Sequence, residues 1–193
     1  MDTLLSLFVG LGLSAACGFR VFVPLLVISV AAMSGHLTLG PGFAWIGSWP
    51  ALIAFAVATA LEVAGYYIPW VDNFLDTVAT PAAVVAGMIA TAAVVSNMDP
   101  FLKWSVAIIA GGGVAGLVQG ATVLTRGGSS LTTGGLLNPL VATVELGGSV
   151  LTSVMALIAP VVVILAVSGV AVWLACRFWT AKRGILTARG RET

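Results

Sequence analysis

Residues 4–33 form an almost unbroken apolar run, and within it stands a single charge, Arg20. A guanidinium keeps its proton at any physiological pH. Holding one at the centre of a bilayer costs about 2.5–3.5 kcal/mol even on lenient insertion scales. Four residues on is Pro24. It lacks an N–H, and its ring crowds the carbonyl of the residue four positions back, which is Arg20 itself. The stretch 10–24, GLGLSAACGFRVFVP, therefore predicts a kinked helix with a buried charge at the kink.

The surroundings of that stretch are a membrane protein's. The 193 residues are 60% hydrophobic and 8% charged, against roughly 25% charged in a soluble domain. A net charge of +1, with no basic patch interleaved with aromatics, speaks against a nucleic-acid partner. Cys17 and Cys176 lie in apolar runs without CxxC or metal-ligand spacing, and read as small buried hydrophobes. Residues 14–17, SAAC, faintly resemble a lipoprotein box, but the opening Met1-Asp2-Thr3 offers no positive region and the apolar run continues past Cys17. A retained first transmembrane helix is expected. No prenylation, myristoylation or GPI pattern is seen.

A bilayer core needs about 20 apolar residues per helix, which predicts an all-α bundle of six spans. They are residues 4–33, 50–68 (opened by Pro50 and containing Glu62), 80–95 (opened by Pro81), 101–125, 138–159 (Asn138 as cap, Pro139 as first residue, containing Glu145) and 160–179. The connection 34–49 is turn-rich, with Trp45 and Trp49 as interfacial anchors, and residues 69–80 read as re-entrant or interfacial. Six spans put both termini on one side. The tail, with Lys182, Arg183, Arg189 and Arg191, marks that side as cytoplasmic in a plasma-membrane protein; Arg126, in an expected polar loop 126–137, falls there too.

Small residues recur four apart at Gly10, Ser14 and Gly18, and again at Gly112, Gly116 and Gly120, a spacing that lets membrane helices approach closely. Residues 57–62 resemble 141–145, each ending in a glutamate, and Pro81 and Pro160 each precede an apolar run. The expectation is two inverted three-helix repeats, 1–98 and 99–180, followed by a basic tail, 181–193. The first helix of each half would be kinked or broken, at Pro24 and at Arg126-Gly127-Gly128, a plan common among secondary transporters.

The motif at residues 10–26, the glutamate followed by Pro69-x-x-Asp72-x-x-x-Asp76, and the proline-led helix after it together resemble the DUF4126 family of bacterial membrane proteins. Thr125-Arg126, Asn138-Pro139 and Glu145 resemble that family's second half. The resemblance spans nearly the whole chain and implies the architecture without implying an activity. In the family pattern an asparagine often stands at Arg20, and an acid often follows the second glutamate, where this chain has Leu146.

The chemistry-bearing residues have two readings each. Arg20 is either glue for a buried counter-charge or a binding group for an anion, lipid phosphate or substrate carboxylate. Glu62 and Glu145 either neutralise Arg20 and cap helices or exchange protons and pass cations, as a carboxylate taken out of water can. Asp72 and Asp76 share a helical face, and either form part of a cation site or charge a helix N-terminus. Arg126, with nearby serines and threonines, either binds anionic headgroups or belongs to a solvated loop. Gly111-Gly112-Gly113 is helix packing, since no phosphate-loop Lys-Ser/Thr follows. His36 stands alone in a loop and is given no role.

No nucleophile–base pair or metal cluster stands out, so an enzyme, a metal and a cofactor are not expected. The expectation is a small transporter or channel with a charged midplane site formed by Arg20, Glu62 and Glu145. Its substrate would be anionic, or an ion or proton, and the chain would assemble as a homo-oligomer within the lipid bilayer. From a different class comes a non-transporting scaffold or lipid-binding protein whose charges are structural.

Overall fold

A computed structural model describes residues 2–68, 71–170, 172, 173 and 176, with the backbone alone at 72 and 73. Every regular element within them is helical. In order they are α1 (Thr3–Phe19), α2 (Phe22–Met33), a 3-10 turn at Ala44–Gly47, α3 (Trp49–Tyr66), α4 (Val71–Val94), α5 (Pro100–Val106), a π-helical turn at Ala107–Gly112, α6 (Gly113–Thr133) and α7 (Asn138–Ile158). A further apolar helix runs over Pro160–Val170. Among the described residues, four helical stretches are long and apolar enough to cross a membrane: α3, Phe74–Val94 of α4, Pro100–Thr133 as one run, and α7.

The expected first span, 4–33, is not one kinked helix. It is a hairpin. α1 stops at Phe19, Arg20 is extended at φ −146° and ψ 130°, and α2 begins at Phe22. Pro24 falls in the first turn of α2, where a missing N–H costs nothing, so the fault lies before the proline rather than at it. Both outer ends of the hairpin sit beside residues 93–97. Thr3 Oγ1 donates to the Asn97 carbonyl at 3.5 Å, and beyond α2 the Gly40 N–H donates to the Ala93 carbonyl at 2.7 Å. The Phe43 ring lies 6.2 Å from Trp104 at the start of α5. At about 1.5 Å per residue, a second helix continuing straight on would end far from Ala93.

α1 is the central helix, packed on α4, α6 and α7. Its small residues face α4: Ser14 Oγ donates to the Gly87 carbonyl at 2.7 Å and pairs with Thr91 Oγ1 at 2.8 Å, while Thr91 Oγ1 donates to the Gly10 carbonyl at 3.3 Å. A Cβ on Gly18 would come within 2.6 Å of the Ala115 carbonyl oxygen, so α6 touches α1 there backbone to backbone. On the other copy of the stripe the close approaches belong to Gly111 and Gly112, while Gly120 faces open space. The π-helical turn turns Gly111 onto Gly87, where a Cβ would meet the Gly87 carbonyl oxygen at 2.9 Å.

Several sequence expectations change. α4 extends back to Val71, so residues 71–80 belong to the same helix as 81–94, and Pro81 lies inside that helix rather than at its head. α6 runs unbroken through Arg126-Gly127-Gly128 and ends only at Gly134, whose φ of +64° suits a glycine terminator. The polar loop shrinks to a few residues. At the head of α7 the cap position is Leu137, and the Asn138 side chain donates instead to Ser130 Oγ at 3.2 Å.

The inverted repeat is not seen. Gly10 and Ser14 of α1 meet Thr91 and Gly87 of α4, and Gly111 and Gly116 meet Thr91 and Val84. α4 is therefore antiparallel to both, and α1 and α6 run the same way. Once the hairpin returns to its starting side, an odd number of crossings in the first half is lost, and with it the forced inversion. The last expected span, 160–179, is described as helix over Pro160–Val170; the rest of it and the tail lie outside the described residues apart from 172, 173 and 176.

Candidate functional site

At the tip of the hairpin, α3, α4, α6 and α7 converge on the break between α1 and α2. When α1 ends at Phe19, the first donors of α2 have no carbonyl behind them. Glu62 of α3 supplies the acceptors: the Val21 N–H donates to Glu62 Oε1 at 2.8 Å and the Phe22 N–H to Oε2 at 3.1 Å. The carboxylate thus caps α2 from a neighbouring helix, with the favourable sign for the positive end of a helix dipole.

Arg20, at the break, is 1% exposed. Its Nη2 donates to the Ala142 carbonyl of α7 at 2.8 Å and stands 3.5 Å from Glu145 Oε2. Its Nε and Nη1 have no hydrogen-bond partner among the described residues. The guanidinium carbon lies 3.9 Å from the ring centroid of Tyr66.

Arg126 is the larger surprise. Expected in a solvated loop as a headgroup ligand, it is 3% exposed within α6. Its Nε donates to Glu145 Oε1 at 3.1 Å, its Nη2 pairs closely with Glu145 Oε2, and its Nη1 donates to Asp76 Oδ1 at 2.7 Å. All three nitrogens are engaged with carboxylates, and the side chain is buried inside the bundle rather than solvated in a loop. Its guanidinium carbon is 3.8 Å from the same Tyr66 centroid. Two guanidiniums cannot share one ring face at that distance, so the tyrosine is held between them.

Of the residues singled out in the sequence, Arg20, Glu62, Glu145, Asp76 and Arg126 come together here, while the Asp72 side chain lies outside the described residues. Asp76 meets an arginine rather than a cation site. Cys17, one turn before the break, is buried as expected, whereas Cys176 is exposed. The His36 ring pairs through Nδ1 with Ser34 Oγ at 3.0 Å. Among the described residues no group of three or more His, Cys, Asp or Glu could hold a metal.

Tyr66 was missed by sequence reasoning. It stands four residues after Glu62, hence on the same helical face, and that spacing was the available signal. Next to it, Tyr67 pairs its hydroxyl with Thr143 at 2.7 Å, tying the end of α3 to α7.

Chemically, the site is a ring-bridged pair of cations with three carboxylates, set at a helix break inside an apolar bundle. The chain belongs to the family described as Domain of unknown function (DUF4126), whose model matches residues 7–181. The match takes in the hairpin and every residue of this site. No curated protein and no solved structure matches the chain.

Proposed function

We propose that the chain is a small multi-pass membrane transporter or channel that moves a small ion through the site at the hairpin tip. The observation that carries this reading is Arg20: a fully buried guanidinium at a broken helix, with two of its nitrogens unpartnered. Purely structural ions in a low-dielectric interior are paired and hydrogen-bonded throughout, and intramembrane charges mark ion pathways. Irregular backbone at membrane depth is tolerated where it is buried or lines a cavity, and broken helices meeting at a charged site are a transporter device. In this reading α1 and α2 re-enter from one side of a plasma membrane, and the exposed apolar face of α3, with Ile53, Val57 and Leu61, is covered by lipid or by further copies of the chain.

The test is ion flux in proteoliposomes. Wild type should carry a flux that Arg20→Met abolishes while remaining monodisperse after extraction. A wild type that passes no sodium, potassium, proton, halide or nitrate defeats the proposal.

A scaffold reading is favoured by one observation, the full engagement of Arg126 with Glu145 and Asp76. It expects Arg20→Met to lose its fold together with any activity.

A further inference from the structure

Glu62 occupies the head of α2 as a bound anion would. Its two oxygens take the Val21 and Phe22 N–H groups, the donors that the helix break sets free. The first N–H groups and the dipole of a helix make a ready anion site, and here the occupant is tethered through a side chain. A second, independent feature points the same way. Arg20, the residue immediately before Val21, is 1% exposed with Nε and Nη1 lacking acceptors. Its charge and that of Glu62 attract each other, and it lies over Tyr66, one turn beyond Glu62 on the same face of α3. One turn before Glu62, Thr59 also buries a hydroxyl that has no partner. A charged donor left buried and unmet costs more than the roughly 1–3 kcal/mol of a neutral one, so these groups favour an acceptor that the protein itself does not provide.

Charge fixes what that acceptor can be. The charges that act on Glu62 are Arg20 at the hairpin tip and Arg126 of α6, with the Cys17 thiol of α1 also close enough to feel it. The arginines in turn hold Glu145 of α7, Asp76 of α4 and the Tyr66 ring of Glu62's own helix. α2 and the 3-10 turn bring no ionisable side chain. Two guanidiniums against the carboxylates of Glu62, Glu145 and Asp76 leave the described cluster one negative charge in excess. One proton on Glu62 brings it to neutrality, and one monoanion then restores the resting value. A dianion would overshoot it.

The geometry points to Glu62 as a tethered stand-in for a small free monoanion, which enters the head of α2 when a proton neutralises the glutamate. The proton binds one Glu62 oxygen, the two N–H···O bonds from Val21 and Phe22 are released, and both re-form on the incoming anion beside the free donors of Arg20. Proton and anion therefore bind together, one for one. This rests on the transport reading and names its substrate class.

Nitrate is the probe, because it keeps its charge across the pH range used. In purified full-length protein, nitrate should bind wild type more tightly at about pH 5.5 than at about pH 8, falling by about tenfold per pH unit above the titration of Glu62. Glu62→Gln should bind nitrate at both pH values as wild type does at the lower one. Arg20→Met should weaken binding about tenfold or more at both. If Glu62→Gln folds yet binds nitrate no better than wild type at the higher pH, or keeps the pH dependence, the inference is overturned. If Glu62→Gln does not fold, Glu62→Asp decides. Its shorter tether should loosen the cap and raise nitrate affinity at the higher pH, and an unchanged affinity overturns the inference. Nitrate binding without flux in proteoliposomes sinks the transport reading alone. A sodium or potassium flux that Arg20→Met abolishes, with no nitrate binding, sinks the tethered-anion inference alone.

Discussion

Arg20 and Arg126 grip opposite faces of Tyr66 and share the carboxylate of Glu145, yet their surroundings are finished differently. Arg126 has an oxygen for each of its nitrogens. Arg20 has one carbonyl bond, one longer ion pair and two unmet nitrogens. The first arrangement is that of a structural ion, whose removal strands Asp76 and leaves Glu145 only its longer pair with Arg20. The second is that of a group held in reserve, with donors exceeding the acceptors the fold provides. The difference arises from backbone context: Arg126 projects from the middle of a continuous helix, whereas Arg20 sits at a break whose own free donors have already claimed the carboxylate of Glu62.

The largest test of that contrast is Arg126→Met. Leaving Glu145 and Asp76 without their cation should cost about 3–5 kcal/mol, read as loss of a monodisperse species or a steep fall in thermal stability in detergent. The double variant with Glu145→Gln should recover part of it. A smaller loss than that of Arg20→Met would invert the assignment.

Next in size is the packing that holds the break in place. Gly18→Val drives a branched side chain into Val118 and the Ala115 carbonyl, and should cost about 1–3 kcal/mol. Gly120→Ala, facing open space, should leave the melting temperature where it is or raise it slightly, since alanine is the better helix former.

Tyr66→Leu keeps an apolar filler but removes both ring contacts, a loss of about 2 kcal/mol for desolvated cation–π pairs. Tyr66→Phe keeps the ring and should melt close to wild type. Equal losses for the two would move the role from the ring face to the hydroxyl.

Of the substitutions that remove a contact of the site, Arg20→Met is expected to have the smallest effect on stability. It removes a buried charge whose donors are mostly unmet, and replacing such a group with an apolar one of similar length is nearly neutral or stabilising. A change within about 1 kcal/mol, together with lost flux, separates Arg20 from Arg126 as function from structure. A loss matching that of Arg126→Met would merge them.

The sequence located most of the participants. A charge inside an apolar run, and glutamates within apolar helices, are conspicuous because burial makes them costly, and Arg20, Glu62 and Glu145 do meet. The Gly10, Ser14 and Gly18 stripe announced a close helix contact for the same steric reason. The break was legible too, although Pro24 pointed to a kink where the backbone instead parts at Arg20 and Val21. Arg126 was misplaced because its glycine and serine neighbours weaken a helix locally. Ion pairs with Glu145 and Asp76, far away in sequence, compensate for that weakness.

The sequence by itself determined that this chain is an apolar helical bundle with a few charges it must pair internally, because composition and hydropathy follow from residue identity alone. Direction and partnership were decided only by the tertiary structure. The same thirty-odd residues can cross a membrane once or double back, since local propensity is indifferent to which way the second helix points. What settles the matter is the contact of both hairpin ends with residues 93–97 and the carboxylate of Glu62 waiting for the donors at the tip.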